Sequence, residues 1–155
     1  MGVSGSGKTT IGRMLARELD WDFFDGDDFH PPKNREKMSK GIPLTDEDRV
    51  EWLNHLRELI QNHLTEGSSL VLACSALKER YREKLAANDK VRFVFLRGTY
   101  DQVEPRLKRR KGHYMPVQLL QSQFEALEEP RDAVTVEVTH TPAEIIRLIR
   151  RGIGT

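Results

Sequence analysis

Gly2-Val3-Ser4-Gly5-Ser6-Gly7-Lys8-Thr9 fits G-x-x-x-x-G-K-[ST], the pattern of a phosphate-binding loop, at every fixed position. Its chemistry follows from its residue types. Gly2, Gly5 and Gly7 let the backbone curl through left-handed conformations without strain. The inward N–H groups, with the N-terminus of the next helix, form a nest for the β- and γ-phosphates of a nucleoside triphosphate. Lys8 brings a mobile positive charge to those phosphates, and the Thr9 hydroxyl is the expected ligand for Mg²⁺. Ser4, Ser6 and Thr10 are expected among the nucleotide contacts. A chance glycine-rich turn would lack the helical spacing of Ile11, Met14, Leu15 and Leu19 that follows here.

Such a loop hangs between a buried strand and a helix. Only Met1 precedes it here. The first strand of the sheet is therefore expected to be missing from this chain, which leaves unpaired backbone groups on its two neighbours at a cost of a few kcal/mol. One expectation is that the open reading frame starts upstream of Met1. The alternative is a chain that lacks the strand and is unstable, inactive or rearranged.

The bulk properties narrow the classes. At 155 residues, one domain spanning 1–155 is expected. A formal net charge of +1 gives no global field for nucleic acid or for a membrane surface. The single cysteine, Cys74, excludes an internal disulfide framework and fits a reducing compartment. No apolar run reaches membrane-spanning length and no signal-peptide pattern opens the chain, so a cytoplasmic setting is expected.

Outward from the loop, strand and helix patterns alternate. Lys8–Leu19 reads as a helix and Trp21–Asp25 as a short strand. Thr45-Asp46-Glu47-Asp48 is a capping box before the apolar series Val50, Trp52, Leu53, Leu56, Leu59, Ile60 and Leu64. Leu70–Cys74 reads as a buried strand, Leu77–Ala87 as a helix, and Val91–Leu96 as the clearest strand. A helix through Val103 and Leu107 follows, then another over Pro116–Leu127. Val134–Val138 alternates as a strand, and Thr141-Pro142-Ala143-Glu144 caps a last helix. This order predicts an α/β fold: a three-layer parallel sheet with helices on both faces. Ligands then gather beyond the carboxyl ends of the strands, where Asp25-Gly26-Asp27, Ser75 and Arg97-Gly98 fall.

Seven further segments, in order, carry a family resemblance. They are Asp25-Gly26-Asp27-Asp28-Phe29-His30-Pro31; Asn34-Arg35-Glu36-Lys37-Met38; Gly41 to Arg49; Ala73-Cys74-Ser75-Ala76-Leu77-Lys78; Tyr81-Arg82; Arg106 and Arg110 with Lys111-Gly112-His113; and Ser122 to Glu125 with Leu127 to Pro130. With the phosphate loop, the chain resembles the gluconokinases, P-loop small-molecule kinases related to shikimate kinase. The resemblance runs from Gly2 to about Pro130. It implies MgATP-dependent phosphorylation of the 6-hydroxyl of D-gluconate, and a homodimer. Another small polyol acid as acceptor stays open. A GTPase-like switch is disfavoured, since the Asn-Lys-x-Asp guanine signature is absent.

The resemblance also implies roles. Asp25 would stand near the Mg²⁺ shell, the more so because the strand ending at Cys74 carries no acid, and Asp27 would be the base on the acceptor hydroxyl. Asp25 and Asp27 also suit a solvated Asx turn. Arg49 and Arg82 would meet the acceptor carboxylate bidentately, as lysine does not. His30 and Lys37 would bind sugar hydroxyls, with Ser75, His113 and Gln123 around them, although Ser75 also suits a helix N-cap. The basic cluster from Arg106 to His113 resembles a lid over ATP, spanning about residues 105–118. Arg106 and Arg110, one helical turn apart, would face the phosphates, with Lys8 and Arg110 stabilising the transferring charge. Cys74 reads as a buried small residue, not a nucleophile.

Overall fold

The computed structural model describes residues 1–110 and 117–155. Among the described residues four strands, β1 (Asp22–Asp25), β2 (Leu70–Ala73), β3 (Val94–Arg97) and β4 (Val134–Glu137), alternate with seven α-helices. The helices are α1 (Lys8–Leu19), α2 (Pro32–Ser39), α3 (Val50–Glu66), α4 (Glu79–Leu85), α5 (Tyr100–Lys108), α6 (Leu119–Ala126) and α7 (Pro142–Ile153). All strand pairing is parallel. β1 runs beside β2 from Asp22 opposite Leu70 to Asp25 opposite Ala73. β3 runs beside β4 from Val94 opposite Val134 to Arg97 opposite Glu137.

Strand alternation sends neighbouring side chains to opposite faces. Val71 packs with Ile11 and Leu15 of α1 and Ile145, Ile146 and Ile149 of α7. Leu72, next in the chain, packs on the other side with Trp52, Leu56 and Ile60 of α3 and Tyr81 and Leu85 of α4. The result is the three-layer arrangement expected from the alternating pattern. Reciprocal capping boxes start α5 at Thr99/Gln102 and α7 at Thr141/Glu144.

The strands form two pairs, not one continuous sheet. Between β2 and β3 lies a slot of about 670 Å³, lined by Leu70–Cys74, Val91–Val94, Leu96 and the inner faces of α1, α3 and α7. Met1 and Gly2 plug one end of it. The Met1 amine donates to Val94 O at 2.5 Å, Leu96 N donates to Met1 O at 3.0 Å, and Gly2 N donates to Ser75 O at 3.2 Å. Burial pushes the Met1 amine down to about 5 from its ordinary 8.0, with the Lys8 charge adding to the effect.

Element boundaries depart from the sequence reading: the helix expected over Leu77–Ala87 spans Glu79–Leu85, the strand expected over Val91–Leu96 spans Val94–Arg97, and three further differences concern α2, the Thr45 box and Pro116. α2 has no apolar period to announce it, since only Asn34 and Met38 turn inward. The capping box at Thr45 and Asp48 forms in both directions, but it opens a 3₁₀ turn over Glu47–Arg49 that leads into α3. The helix expected over Pro116–Leu127 spans Leu119–Ala126, and Pro116 lies outside the described residues.

Candidate active site

The loop from Gly2 to Gly7 takes the left-handed turns anticipated for its glycines, with φ of 148° at Gly2, 81° at Gly5 and 98° at Gly7, the N-cap of α1. It leaves a small cradle of about 30 Å³, bordered by Ser4, Gly5, Gly7, Lys8, Thr9, Asp25, Asp27, Ser75, Arg110 and Gln123. Five segments distant in sequence thus supply one site at the carboxyl ends of the strands.

Lys8 Nζ donates to Val3 O at 2.9 Å, which curls the side chain back over the loop. Burial lowers its pKa, and the nearby negative charge of Asp27 opposes that shift. Thr9 Oγ1 donates to Asp25 Oδ2 at 2.9 Å. The other oxygen of Asp25, Oδ1, accepts from Asp27 N at 3.0 Å. The acidic turn is therefore an Asx turn and a site component at once: its hydrogen bond holds Asp27 beside the cradle. Gly26 is required there because a Cβ would stand 2.9 Å from Ala73 O.

A second cleft, of about 260 Å³, opens beside the cradle. Its walls include His30, Leu44, Asp46, Arg49, Lys78, Leu119 and Gln123. Gln123 borders both cavities, and its Oε1 accepts from Ser4 N at 2.7 Å. Arg49 donates to Leu44 O at 2.9 Å and Tyr81 Oη at 3.2 Å and lies over the Tyr81 ring. Lys78 Nζ reaches Asp46 Oδ1 at 3.1 Å, and Arg80 and Tyr81 donate to the same carboxylate. His30 is buried and stacks on Trp52, with ring centroids 4.4 Å apart and planes 10° apart. Burial, with the charges of Arg49 and Arg35, pushes its pKa down to about 4.

The structure places several of the anticipated residues away from the two cavities or in other contacts. Arg82 is buried and donates to Ala76 O at 2.8 Å, Leu77 O at 3.1 Å and Glu128 O at 2.7 Å. It clamps three backbone carbonyls and does not line the cleft. Lys37 is held by Asp48, at 2.8 Å, and also stands outside the cleft wall. Arg106 donates to Val138 O at 2.9 Å, away from the cradle. α5 ends at Lys108, so Arg106 and Arg110 do not share a helical face, and Arg110 alone borders the cradle. Ser75 is not an N-cap, since α4 begins at Glu79 behind Lys78. Ser75 borders the cradle and not the second cleft. Thr10 is exposed, and Ser6 is buried with its hydroxyl unpartnered among the described residues. Residues 111–116 of the expected lid, His113 among them, lie outside the described residues. Cys74 is buried and its thiol is pushed up to about 12 by burial, as suits an inert core residue.

Lys78 and Asp46 carry no site assignment from the sequence. Their signal is spatial: a cation 32 residues from its carboxylate partner. Among the described residues no helix is long and apolar enough to cross a membrane.

The model of the shikimate kinase family matches residues 4–146. The thermosensitive gluconokinase of Escherichia coli is 45% identical over 99% of this chain and 84% of its own length. The crystal structure of a gluconokinase from Sinorhizobium meliloti superposes with a TM-score of 0.88 at 45% identity, covering 99% of this chain and 89% of that one. The shikimate kinase of Aquifex aeolicus, at 17% identity and a TM-score of 0.68, shares the fold. A phosphate cradle joined to a cation-bearing cleft through Gln123, on a fold and sequence shared this widely, places the chain in the gluconokinase branch of the shikimate-kinase-like P-loop family.

Proposed function

We propose that the chain transfers the γ-phosphoryl group of ATP to the 6-hydroxyl of D-gluconate. The observation that carries this reading is the pair of cavities meeting at Gln123. One is built for phosphates, and the other holds Arg49 and Lys78 for an acid and His30 for a hydroxyl.

The residues divide the work. The loop amides and Lys8 bind the β- and γ-phosphates. Asp27, beside the cradle, orients the acceptor hydroxyl and takes its proton as the phosphoryl group arrives. Arg110 offsets charge on the transferring group. Arg49 meets the acceptor carboxylate, and His30 and Gln123 contact its hydroxyls.

Thr9 Oγ1 and Asp25 Oδ2 are two hard oxygen donors 2.9 Å apart at the cradle. Among the described residues no group of three or more His, Cys, Asp or Glu converges. A sparse oxygen set suits Mg²⁺, which keeps most of its ligands as water and phosphate oxygens. Bound there, Mg²⁺ supplies charge neutralisation on the phosphates.

The test is MgATP-dependent ADP release with D-gluconate, with shikimate and with no acceptor. Release that depends on D-gluconate is expected. Equal release without any acceptor, or release with shikimate alone, overturns the assignment.

A further inference from the structure

Asn34 takes no part in the site as described so far, yet it is fully buried. It lies on α2, one helical turn after His30. Its amide donates to Asp48 O at 2.8 Å and lies 3.3 Å from His30 Nδ1. The Asp48 carbonyl accepts only, so the nitrogen of the Asn34 amide must face it. That orientation leaves the second amide proton for His30 Nδ1, which must then carry a lone pair. Asp48 is itself pinned, its carboxylate taking Lys37 Nζ at 2.8 Å and Thr45 N at 2.9 Å.

We propose that Asn34 is a positioning residue that holds neutral His30 in the Nε2–H tautomer, so that the imidazole presents a hydrogen-bond donor to an acceptor oxygen of the substrate in the cleft. Three further features agree. The ring is fixed by stacking on Trp52, whose Nε1 donates to Gly26 O at 2.7 Å. Nε2 meets no hydrogen-bond partner among the described residues, and His30 borders the cleft. Burial of the ring, and then the charges of Arg49 and Arg35, disfavour a second proton on it. Of the anticipated sugar contacts, Lys37 is thus a remote support: it holds Asp48, Asp48 orients Asn34, and Asn34 sets the tautomer of His30. The substrate named here rests on the reading of the cleft as the gluconate site.

The first measurement is ¹⁵N–¹H correlation NMR of the imidazole in the full chain at neutral pH. The expected spectrum shows a protonated Nε2 and an unprotonated Nδ1. Protonated Nδ1 in the wild type overturns the proposal with no variant needed. The second measurement is Asn34→Asp, whose carboxylate accepts a proton from Nδ1. Nδ1 should become protonated, and KM for D-gluconate should rise about tenfold, the scale of one hydrogen bond. KM for ATP and kcat should change little. Protonation at Nδ1 with an unchanged KM for D-gluconate reduces Asn34 to a packing residue. If Asn34→Asp does not fold, the wild-type spectrum still decides the tautomer, and His30→Phe, which keeps the stack on Trp52 but removes the donor, decides its use: an unchanged KM for D-gluconate overturns the proposal. Absence of gluconate turnover in the wild type defeats the assigned reaction and leaves the tautomer result standing.

Discussion

Thr9 and Asp25 meet at 2.9 Å through a hydroxyl donating to a carboxylate, and this contact joins the first turn of α1 to the carboxyl end of β1. It means that the phosphate loop and the acidic turn are not independent. Displacing either moves the pair of oxygens offered to a cation. Asp25→Asn should raise the Mg²⁺ concentration for half-maximal activity by about 10- to 100-fold. Nucleotide binding without metal should be nearly unchanged. A Mg²⁺ titration at saturating ATP and gluconate reads this directly, and an unaltered midpoint removes Asp25 from the metal site.

Asp27 sits beside the cradle with its backbone fixed by Asp25. Asp27→Asn keeps the shape and removes the base. Turnover should fall by about 10²- to 10⁴-fold, with ATP affinity mostly retained. Steady-state kinetics paired with nucleotide-binding titration would separate the two, and normal turnover would exclude Asp27 as the base.

Arg82→Met should act on stability more than on substrate binding. Three carbonyls lose a charged donor inside the protein, a loss of about 3 kcal/mol. For a chain this size the melting midpoint should drop by roughly 5–10 °C. KM for D-gluconate in the folded variant should stay within about threefold of wild type. A large rise in KM with no change in melting would restore Arg82 to the acceptor site.

His30 gives the fold a pH dependence of defined sign. Its pKa is about 4 in the folded chain against an ordinary 6.5. Above pH 6.5 neither state is protonated there, so the difference contributes its full stability. Between 6.5 and about 4 the unfolded chain takes up a proton that the folded chain refuses, and stability falls as the pH is lowered. Asp48, held down to about 2 from 3.8 chiefly by its hydrogen bond from Lys37, loses its contribution only below that window. Denaturant unfolding of wild type and His30→Gln from pH 7.5 to 4.5 should show a steeper decline in the wild type.

What the sequence makes legible is whatever repeats or clusters along the chain. The phosphate loop is contiguous, so its glycine conformations and the helix after it follow from eight residues. The apolar run Leu70–Cys74 and the box before α7 mark their elements nearly as well, while the run Val91–Leu96 announces β3 but starts three residues before it. α2 is not legible, because its polar run Lys33-Asn34-Arg35-Glu36-Lys37 has no periodic apolar face and its one fully buried residue is an asparagine. Nor are the partners of the cations. Arg82 finds its carbonyl at Glu128 across 46 residues, and Lys78 finds Asp46 across 32. Residue type announces a charge, while its use as clamp or ligand depends on which loop the fold brings beside it. Arg106 and Arg110 fail as a pair for a local reason: the helix stops between them.

The slot between β2 and β3 has a mechanical meaning. In backbone hydrogen bonds among the described residues, the two half-sheets are laced together at Met1 and Gly2, and the chain passes straight from there into the phosphate cradle. α1, which starts at the cradle, is the beam that spans both halves through Ile11 and Leu15. An anion seated on the loop therefore pulls on the same two members that keep the sheet from parting. Nucleotide binding is thus expected to steady the junction of the two strand pairs along with the loop. Amide exchange at Val71 and Leu96, on opposite banks of the slot, should slow together when nucleotide is added.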